Sequence, residues 1–194
     1  MVAFQHGAGG IAAVLVSAVE LTRMATPALP PSGTVSAILG LIIGAGTFSG
    51  SMIAGLKLAN RIRQTPTCLP GHNHVLLAVT GGIAMLAVVT CLADDHNTLV
   101  AMAALLILTS IALGALMAIR IGGADMPVLI SFLNATAGLA AALCGVAIGN
   151  RLLIACGAAV AASGSILTHV MCRAMNRGLT TVFAGIQPPK AGLV

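Results

Sequence analysis

Charged side chains are scarce in this sequence: they make up 7% of its 194 residues, whereas apolar residues make up 58%. A soluble domain carries about 25% charged residues, so this chain has too few to cover a surface in contact with water. Its nine basic and four acidic residues form no run of the kind that binds nucleic acid. The composition excludes a soluble globular domain, a disordered chain and a nucleic-acid-binding protein, and it indicates a polytopic membrane protein.

Aromatic residues are nearly absent as well, with four Phe and neither Trp nor Tyr. The sequence therefore lacks the Trp and Tyr belt that marks the interfaces of many membrane proteins. Glycine is abundant instead, with 23 residues, and small residues allow transmembrane helices to approach closely. The apolar runs are continuous rather than alternating, which disfavours a transmembrane β-barrel. We therefore expect an all-α fold, a tightly packed bundle of transmembrane helices.

Six apolar segments are each close to the length of about 20 residues that crosses a bilayer. They lie at about residues 2–22, 35–56, 75–93, 98–119, 127–149 and 152–171. We expect residues 1–172 to form a transmembrane domain and residues 173–194 to form a cytoplasmic tail. The five cysteines show no C-x-x-C spacing, and we expect neither a disulfide framework nor a metal site.

The segments between the apolar runs carry most of the charge. The longest loop is expected at 57–74, and Asn97 or Thr98 is expected to cap the fourth helix. One side of the membrane then receives seven basic residues and the other receives two: Lys57, Arg61, Arg63, Arg120, Arg173, Arg177 and Lys190, against Arg23 and Arg151. The positive-inside rule places the side with seven in the cytoplasm, together with both termini.

His6 is the first candidate functional residue because it lies within the first apolar segment. An ionisable side chain inside a membrane helix is a functional candidate by default, and histidine titrates near neutral pH, as a proton relay requires. The alternative is that His6 lies near a frayed N-terminus and contacts headgroups or water. Residues 7–12 fit G-x-G-x-x-A, but no strand precedes them, so we interpret these glycines as helix-packing positions.

Ser131 and Asn134 are polar residues within the fifth apolar segment, three positions apart and therefore on one helix face. An asparagine amide is costly in lipid and is expected to face water or a polar partner. The alternative is that both residues only bond neighbouring helices. His6 and Asn134 each lie about one to two turns from the cytoplasmic start of their helices. They can form one proton pathway if the two helices are neighbours.

Asp125 and Arg120 lie at the cytoplasmic end of the connection between the fourth and fifth segments. We expect the Asp125 carboxylate to be hydrated there and therefore to stay charged at little cost. Gly122 and Gly123 are expected to give this connection backbone freedom, so that its movement is transmitted to Asn134. The alternative role for Asp125 is a favourable interaction with a helix dipole, worth about 0.3–1 kcal/mol.

Several long strings of residues resemble a known family. Residues 120–128, Arg-Ile-Gly-Gly-Ala-Asp-Met-Pro-Val, and 131–138, Ser-Phe-Leu-Asn-Ala-Thr-Ala-Gly, resemble the membrane domain of the proton-translocating NAD(P) transhydrogenase β subunit. Residues 171–177, Met-Cys-Arg-Ala-Met-Asn-Arg, resemble the stretch where that subunit leaves the membrane. Residues 1–13 and 44–51 resemble further family segments, so the resemblance covers nearly the whole chain.

The resemblance implies a function, because this family couples hydride transfer between NADH and NADP to proton movement through the membrane domain. It implies that His6 matches a channel position and that Asn134 matches a polar channel residue. It also implies that Asp125 and Arg120 form the cytoplasmic mouth, facing the NADP-binding domain. The implied setting is a dimeric complex in the bacterial inner membrane, where other transhydrogenase subunits or domains, lipid and protons are the partners.

Family β subunits also carry further helices and a soluble NADP-binding domain, which this sequence does not contain. We therefore expect a split subunit, a truncated product or a fragment, with residues 173–194 as the remnant of a linker. We expect this chain alone to bind neither NAD(H) nor NADP(H) and to belong to an enzyme only as part of a complex. Two alternatives are a non-catalytic membrane scaffold, or remnant, and a small transporter formed by oligomerisation.

Overall fold

The structure, a computed structural model, describes residues 2–23, 31–67, 71–93 and 95–184. These residues form seven α-helices and one short 3-10 turn, Gly123–Asp125, with no strand among them. The helices are α1 (Val2–Arg23), α2 (Pro31–Leu58), α3 (His72–Cys91), α4 (His96–Arg120), α5 (Met126–Ala147), α6 (Arg151–Ala174) and α7 (Leu179–Phe183).

All of these helices except α7 are long and apolar enough to cross a membrane. The expected all-α fold with six membrane-spanning helices is therefore confirmed. The ends of these helices differ from the expected bounds by at most four residues, the largest difference being the start of α2. Lys190 and the rest of the expected tail beyond residue 184 lie outside the described residues.

The centre of the bundle is formed by α2 and α5. Helix α5 packs against α1, α2 and α6, and α2 also packs against α1 and α4. Helix α3 lies at the edge, where it contacts mainly α4 and leaves most of its side chains exposed. Helices α1 and α5 are neighbours that run in the same direction. His6 of α1 and Asn134 of α5 can therefore lie on one pathway, as the sequence analysis required.

Glycines permit the closest helix contacts in the bundle. A Cβ atom at Gly10 of α1 would lie 2.7 Å from the carbonyl oxygen of Gly44 in α2. Similarly, a Cβ atom at Gly138 of α5 would lie 2.7 Å from the backbone nitrogen of Ala161 in α6. Gly9 faces open space, so the expectation that this glycine string packs helices applies to Gly10 but is wrong for Gly9.

Helix α4 begins at a side-chain cap. The Asp95 carboxylate accepts hydrogen bonds from the backbone N–H of Thr98 and from its Oγ1, both at 3.0 Å. The bond from the backbone N–H and then that from the hydroxyl hold the pKa of Asp95 below its usual range. The expected cap, Asn97 or Thr98, is therefore wrong. Thr98 instead occupies the third helical position, whose N–H donates to the capping side chain.

Helices α2 and α6 end in the same way, with an asparagine in the left-handed conformation. Asn176 has φ 51°, and the next backbone N–H, that of Arg177, donates to the carbonyl of Cys172 at 2.9 Å. Asn60 has φ 54° at the end of α2. This geometry is the Schellman motif, which reverses the chain direction at a helix end. Both following segments therefore turn back over the end of the bundle that carries Asp125.

Candidate functional site

His6, Ser131 and Asn134 lie around one groove, which we call the His6 groove. Its volume is about 500 Å³, which is ample for several water molecules, since each takes about 30 Å³. Its walls come from α1, the last residue of α2, α5 and α6: Val2, His6, Leu58, Pro127, Ile130, Ser131, Asn134, Leu167 and Met171. The structure thus brings the three expected pathway residues together, while their role in proton movement stays a prediction.

The His6 and Asn134 side chains are half-buried in this groove. Neither makes a side-chain hydrogen bond or ion pair to another of the described residues. Both carry donor and acceptor atoms, so water within the groove can bond both of them. A histidine and an asparagine that share one groove can pass a proton between them through water that enters it.

Ser131 is placed differently, because it is buried between α5 and α6. Its Oγ donates to the carbonyl of Gly164 at 3.3 Å and lies 3.1 Å from Thr168 Oγ1, which itself donates to the Gly164 carbonyl at 2.7 Å. Its one proton is therefore held by α6. This geometry favours the alternative stated for Ser131, a hydrogen bond that joins two helices.

Asp125 lies at the end of the bundle near the His6 groove, in the connection between α4 and α5 that we call the hinge (residues 121–125). Its exposed fraction is only 5%. Arg177 Nη1 donates to both of its carboxylate oxygens, at 2.9 and 2.8 Å. The expectation of a hydrated carboxylate is therefore wrong, because the segment after α6 covers Asp125 and places a guanidinium against it.

Arg120, the other expected residue of the mouth, does not contact Asp125 in the part of the chain that the structure describes. Its Nε instead donates to the carbonyl of Ala184 at 2.7 Å. Ala184 directly follows α7, whose Phe183 ring lies 4.7 Å from that of Phe132 in α5. The segment after α6 is thus bonded to both ends of the hinge, by Arg120 at its start and by Arg177 at Asp125.

Lys57 is a buried residue that the sequence analysis placed in a loop. It lies within α2 with an exposed fraction of 2%. Its Nζ donates to the carbonyls of Ala118, Ile119 and Ile121 at 3.1, 2.7 and 2.8 Å. The last carbonyls of a helix lack partners within it, and here one ammonium group satisfies three of them. The expected loop position was wrong because α2 extends past its apolar run.

The hinge glycines have a packing role. Gly122 adopts φ −76° and ψ 162°, which any residue can adopt. A Cβ atom at Gly123 would lie 2.7 Å from Gln64 Oε1, and the Gly123 N–H donates to the Gln64 carbonyl at 2.9 Å. Gln64, in the segment after α2, therefore contacts the hinge backbone, as Lys57 of α2 does at Ile121. Glycine at position 123 allows Gln64 to approach this closely.

Comparison of the sequence with known proteins shows its family. The family described as NAD(P) transhydrogenase beta subunit matches residues 1–192. The chain belongs to this family. It is 44% identical over 191 residues to the NAD(P) transhydrogenase subunit beta of Rhodospirillum rubrum, and to the sequence of that subunit from strain ATCC 11170. Each alignment covers 95% of this chain and 40% of the relative, so the chain spans about two fifths of the length of its relatives.

The glycine string of this transhydrogenase-family chain does not form a dinucleotide fingerprint. The glycine string 7–10 lies inside α1, where backbone N–H groups beyond the first turn are used in the helix. A dinucleotide fingerprint requires a strand, a turn and then a helix, and this string has helix on both sides.

Proposed function

We propose that this chain forms the proton channel of a membrane complex that couples hydride transfer between NADH and NADP to proton translocation. Hydride transfer and the binding of NAD(H) and NADP(H) belong to other subunits or domains of that complex. The observation that carries this proposal is the shared groove of His6 and Asn134, in a chain of this family. A proton from the aqueous phase binds an imidazole nitrogen of His6 and leaves through water held by Asn134.

The hinge connects this groove to the partner that binds NADP(H). Asp125, held by Arg177, directly precedes α5, the helix that carries Asn134. A partner that docks over the segments after α2 and α6 would contact the same end of the bundle. We propose that its nucleotide state shifts the hinge and thereby the position of Asn134. The complex is proposed to be dimeric, with this chain in the bacterial inner membrane and both termini in the cytoplasm.

The proposal is tested in the complete complex, reconstituted into vesicles, with His6→Ala in this chain. Proton uptake should fall by about a hundredfold, the lower end of what a positioned proton-transfer group contributes to a rate. Assembly, followed by size-exclusion chromatography, should be unchanged. Thr109→Ala is a matched control, because Thr109 lies on α4 and its hydroxyl bonds only its own helix.

Two other results would favour the alternatives. Loss of assembly in His6→Ala would indicate a packing residue in a membrane scaffold. Proton uptake at the wild-type rate would remove His6 from the pathway.

A further inference from the structure

Glu20 is a carboxylate inside a membrane helix that the proposed pathway does not yet use. It lies in the last turn of α1 with an exposed fraction of 8%. Since α1 begins beside the His6 groove, Glu20 lies near the opposite end of the bundle. Ionisable side chains in such helices are rare, and they mark ion and proton pathways more often than packing contacts.

A separate polar cavity opens beside Glu20. Its volume is about 390 Å³, enough for several water molecules at about 30 Å³ each. It is bounded by the end of α1, the start of α2 and the end of α5: Glu20, Arg23, Ser32, Gly33, Val146, Ala147, Ile148 and Gly149. Among the described residues that line it, Glu20 and Arg23 are the charged ones.

The ion pair in this cavity joins a buried acid to a solvated base. Arg23 Nη1 donates to Glu20 Oε1 at 3.0 Å, and the Arg23 side chain is 71% exposed whereas that of Glu20 is 10% exposed. An exposed partner exchanges its bonds with water readily, and such pairs contribute little to stability. The Glu20 carboxylate borders the cavity and can therefore bind a proton from water within it.

Polar atoms continue from Glu20 toward the middle of the bundle. Ser17, three residues earlier and on the same face of α1, is buried, and its Oγ lies 3.4 Å from Cys144 Sγ of α5. His6 lies 14 residues before Glu20, which is close to four helical turns and a rise of about 21 Å. One side of α1 therefore carries an ionisable residue near each end.

We propose that Glu20 exchanges protons between the pathway and the aqueous phase on the side of the membrane opposite Asp125. This inference rests on the proposed function. A hydronium ion that forms in the aqueous phase and enters the cavity transfers its proton to a Glu20 carboxylate oxygen and becomes water. Protonation of the carboxylate weakens its bond from Arg23. Release of that proton restores the carboxylate and its ion pair. Glu20 and His6 lie near opposite ends of α1, so each residue serves one end of the pathway.

The test uses Glu20→Gln in the complete complex in vesicles, with Glu20→Asp and Arg23→Gln as controls. Glu20→Gln keeps the shape of the side chain but cannot bind a proton. Proton uptake should fall by about a hundredfold, as expected for loss of a positioned proton-transfer group. Glu20→Asp should retain most of the uptake, and Arg23→Gln should lower it far less than Glu20→Gln does because the carboxylate remains. Assembly and NADP(H) affinity should be unchanged in all three variants.

Two results would overturn the inference. One is proton uptake at the wild-type rate in Glu20→Gln. The other is an equal loss of uptake in Glu20→Gln and Arg23→Gln, because that would indicate that the ion pair has a structural role. If Glu20→Gln does not assemble, carbodiimide modification of Glu20 in the assembled wild-type complex should abolish uptake, and unchanged uptake after full modification would overturn it. Failure of the proposed function is distinguishable, because His6→Ala would then translocate protons at the wild-type rate.

Discussion

A single ammonium group fixes the end of α4 beside the hinge. Lys57 Nζ bonds the carbonyls of Ala118, Ile119 and Ile121. The first two also accept a backbone N–H, from Ile121 and Thr67 respectively, at 3.4 and 3.3 Å. A buried cation is stable only when its donors are satisfied, and these three carbonyls satisfy all three N–H groups. Lys57 therefore holds α2 against the point where the hinge begins.

Replacing Lys57 by Met should destabilise the protein. Lys57→Met keeps the apolar stem but removes the donor to the Ile121 carbonyl, and an unsatisfied buried acceptor costs about 1–3 kcal/mol. The midpoint of thermal unfolding in detergent should fall by several degrees. Arg61→Met is the matched control, because Arg61 is an exposed basic residue just after α2. Equal midpoints for the two variants would contradict the role of Lys57.

Asp125 and Arg177 should behave as an energetically coupled pair. Asp125→Asn removes the charge that accepts two bonds from Arg177 in a site where both side chains are largely buried. Breaking a buried pair by changing one partner costs about 3–5 kcal/mol. The double variant Asp125→Asn/Arg177→Gln should recover part of that loss in thermal unfolding. Strictly additive losses would show that the two groups do not interact.

The hinge proposal predicts a functional effect of Asp125 as well. In the complete complex, Asp125→Asn should assemble but show altered proton uptake and altered NADP(H) affinity. The dipole alternative predicts only slight destabilisation with both values unchanged. Isothermal titration with NADP(H) and uptake measurements on the same preparation separate these outcomes.

The candidate residues could be found from the sequence, but their partners could not. His6, Asn134 and Asp125 were singled out because a polar side chain in an apolar run or at a helix start is conspicuous. The bond from Arg177 to Asp125 joins positions 52 residues apart, and no local pattern indicates such a contact. Glu20 was detectable, since a carboxylate within the first apolar run is itself a signal, and it was missed.

At the scale of helices, packing between α5 and α6 depends on positions where only hydrogen fits. Gly138→Val should destabilise the bundle by about 1–3 kcal/mol, as overpacking does, because its side chain would meet the backbone of Ala161. Gly9→Val is the matched control, since Gly9 faces open space in α1. Thermal unfolding in detergent should separate the two variants clearly. A midpoint for Gly138→Val as high as that of Gly9→Val would contradict the packing described.

The helices themselves were predictable because the length of an apolar run is set by the bilayer. Their ends were less predictable because polar residues extend several helices beyond the apolar run. Helix α2 continues to Leu58 because Lys57 finds partners in α4, and α4 begins at His96 because Asp95 caps it. These extensions depend on contacts, which hydropathy alone does not report.

At the scale of the whole molecule, the basic residues mark one end. Arg61, Arg63, Arg120 and Arg173 all lie in or near the segments beside the hinge, whereas Arg23 and Arg151 lie at the other end. The positive-inside rule predicts that the hinge end faces the cytoplasm. Arg63→Cys, in a background without the native cysteines, should react with a membrane-impermeant maleimide only after the membrane is opened. Strong labelling in intact cells would reverse the orientation.

The two ends of the molecule carry different polar sites. The His6 groove and the hinge lie at one end, and the Glu20 cavity lies at the other. The proposed proton pathway therefore uses residues from both ends of the bundle.

The most direct test of a shared pathway is a double-mutant cycle of His6 and Asn134, with proton uptake by vesicles containing the complete complex as the measurement. If both residues serve one pathway, His6→Ala and Asn134→Leu should each reduce uptake strongly. The double variant should then take up protons no more slowly than the slower single variant, because a blocked pathway cannot be blocked twice. Wild-type uptake in either single variant, or losses that multiply in the double variant, would contradict a common pathway through the His6 groove.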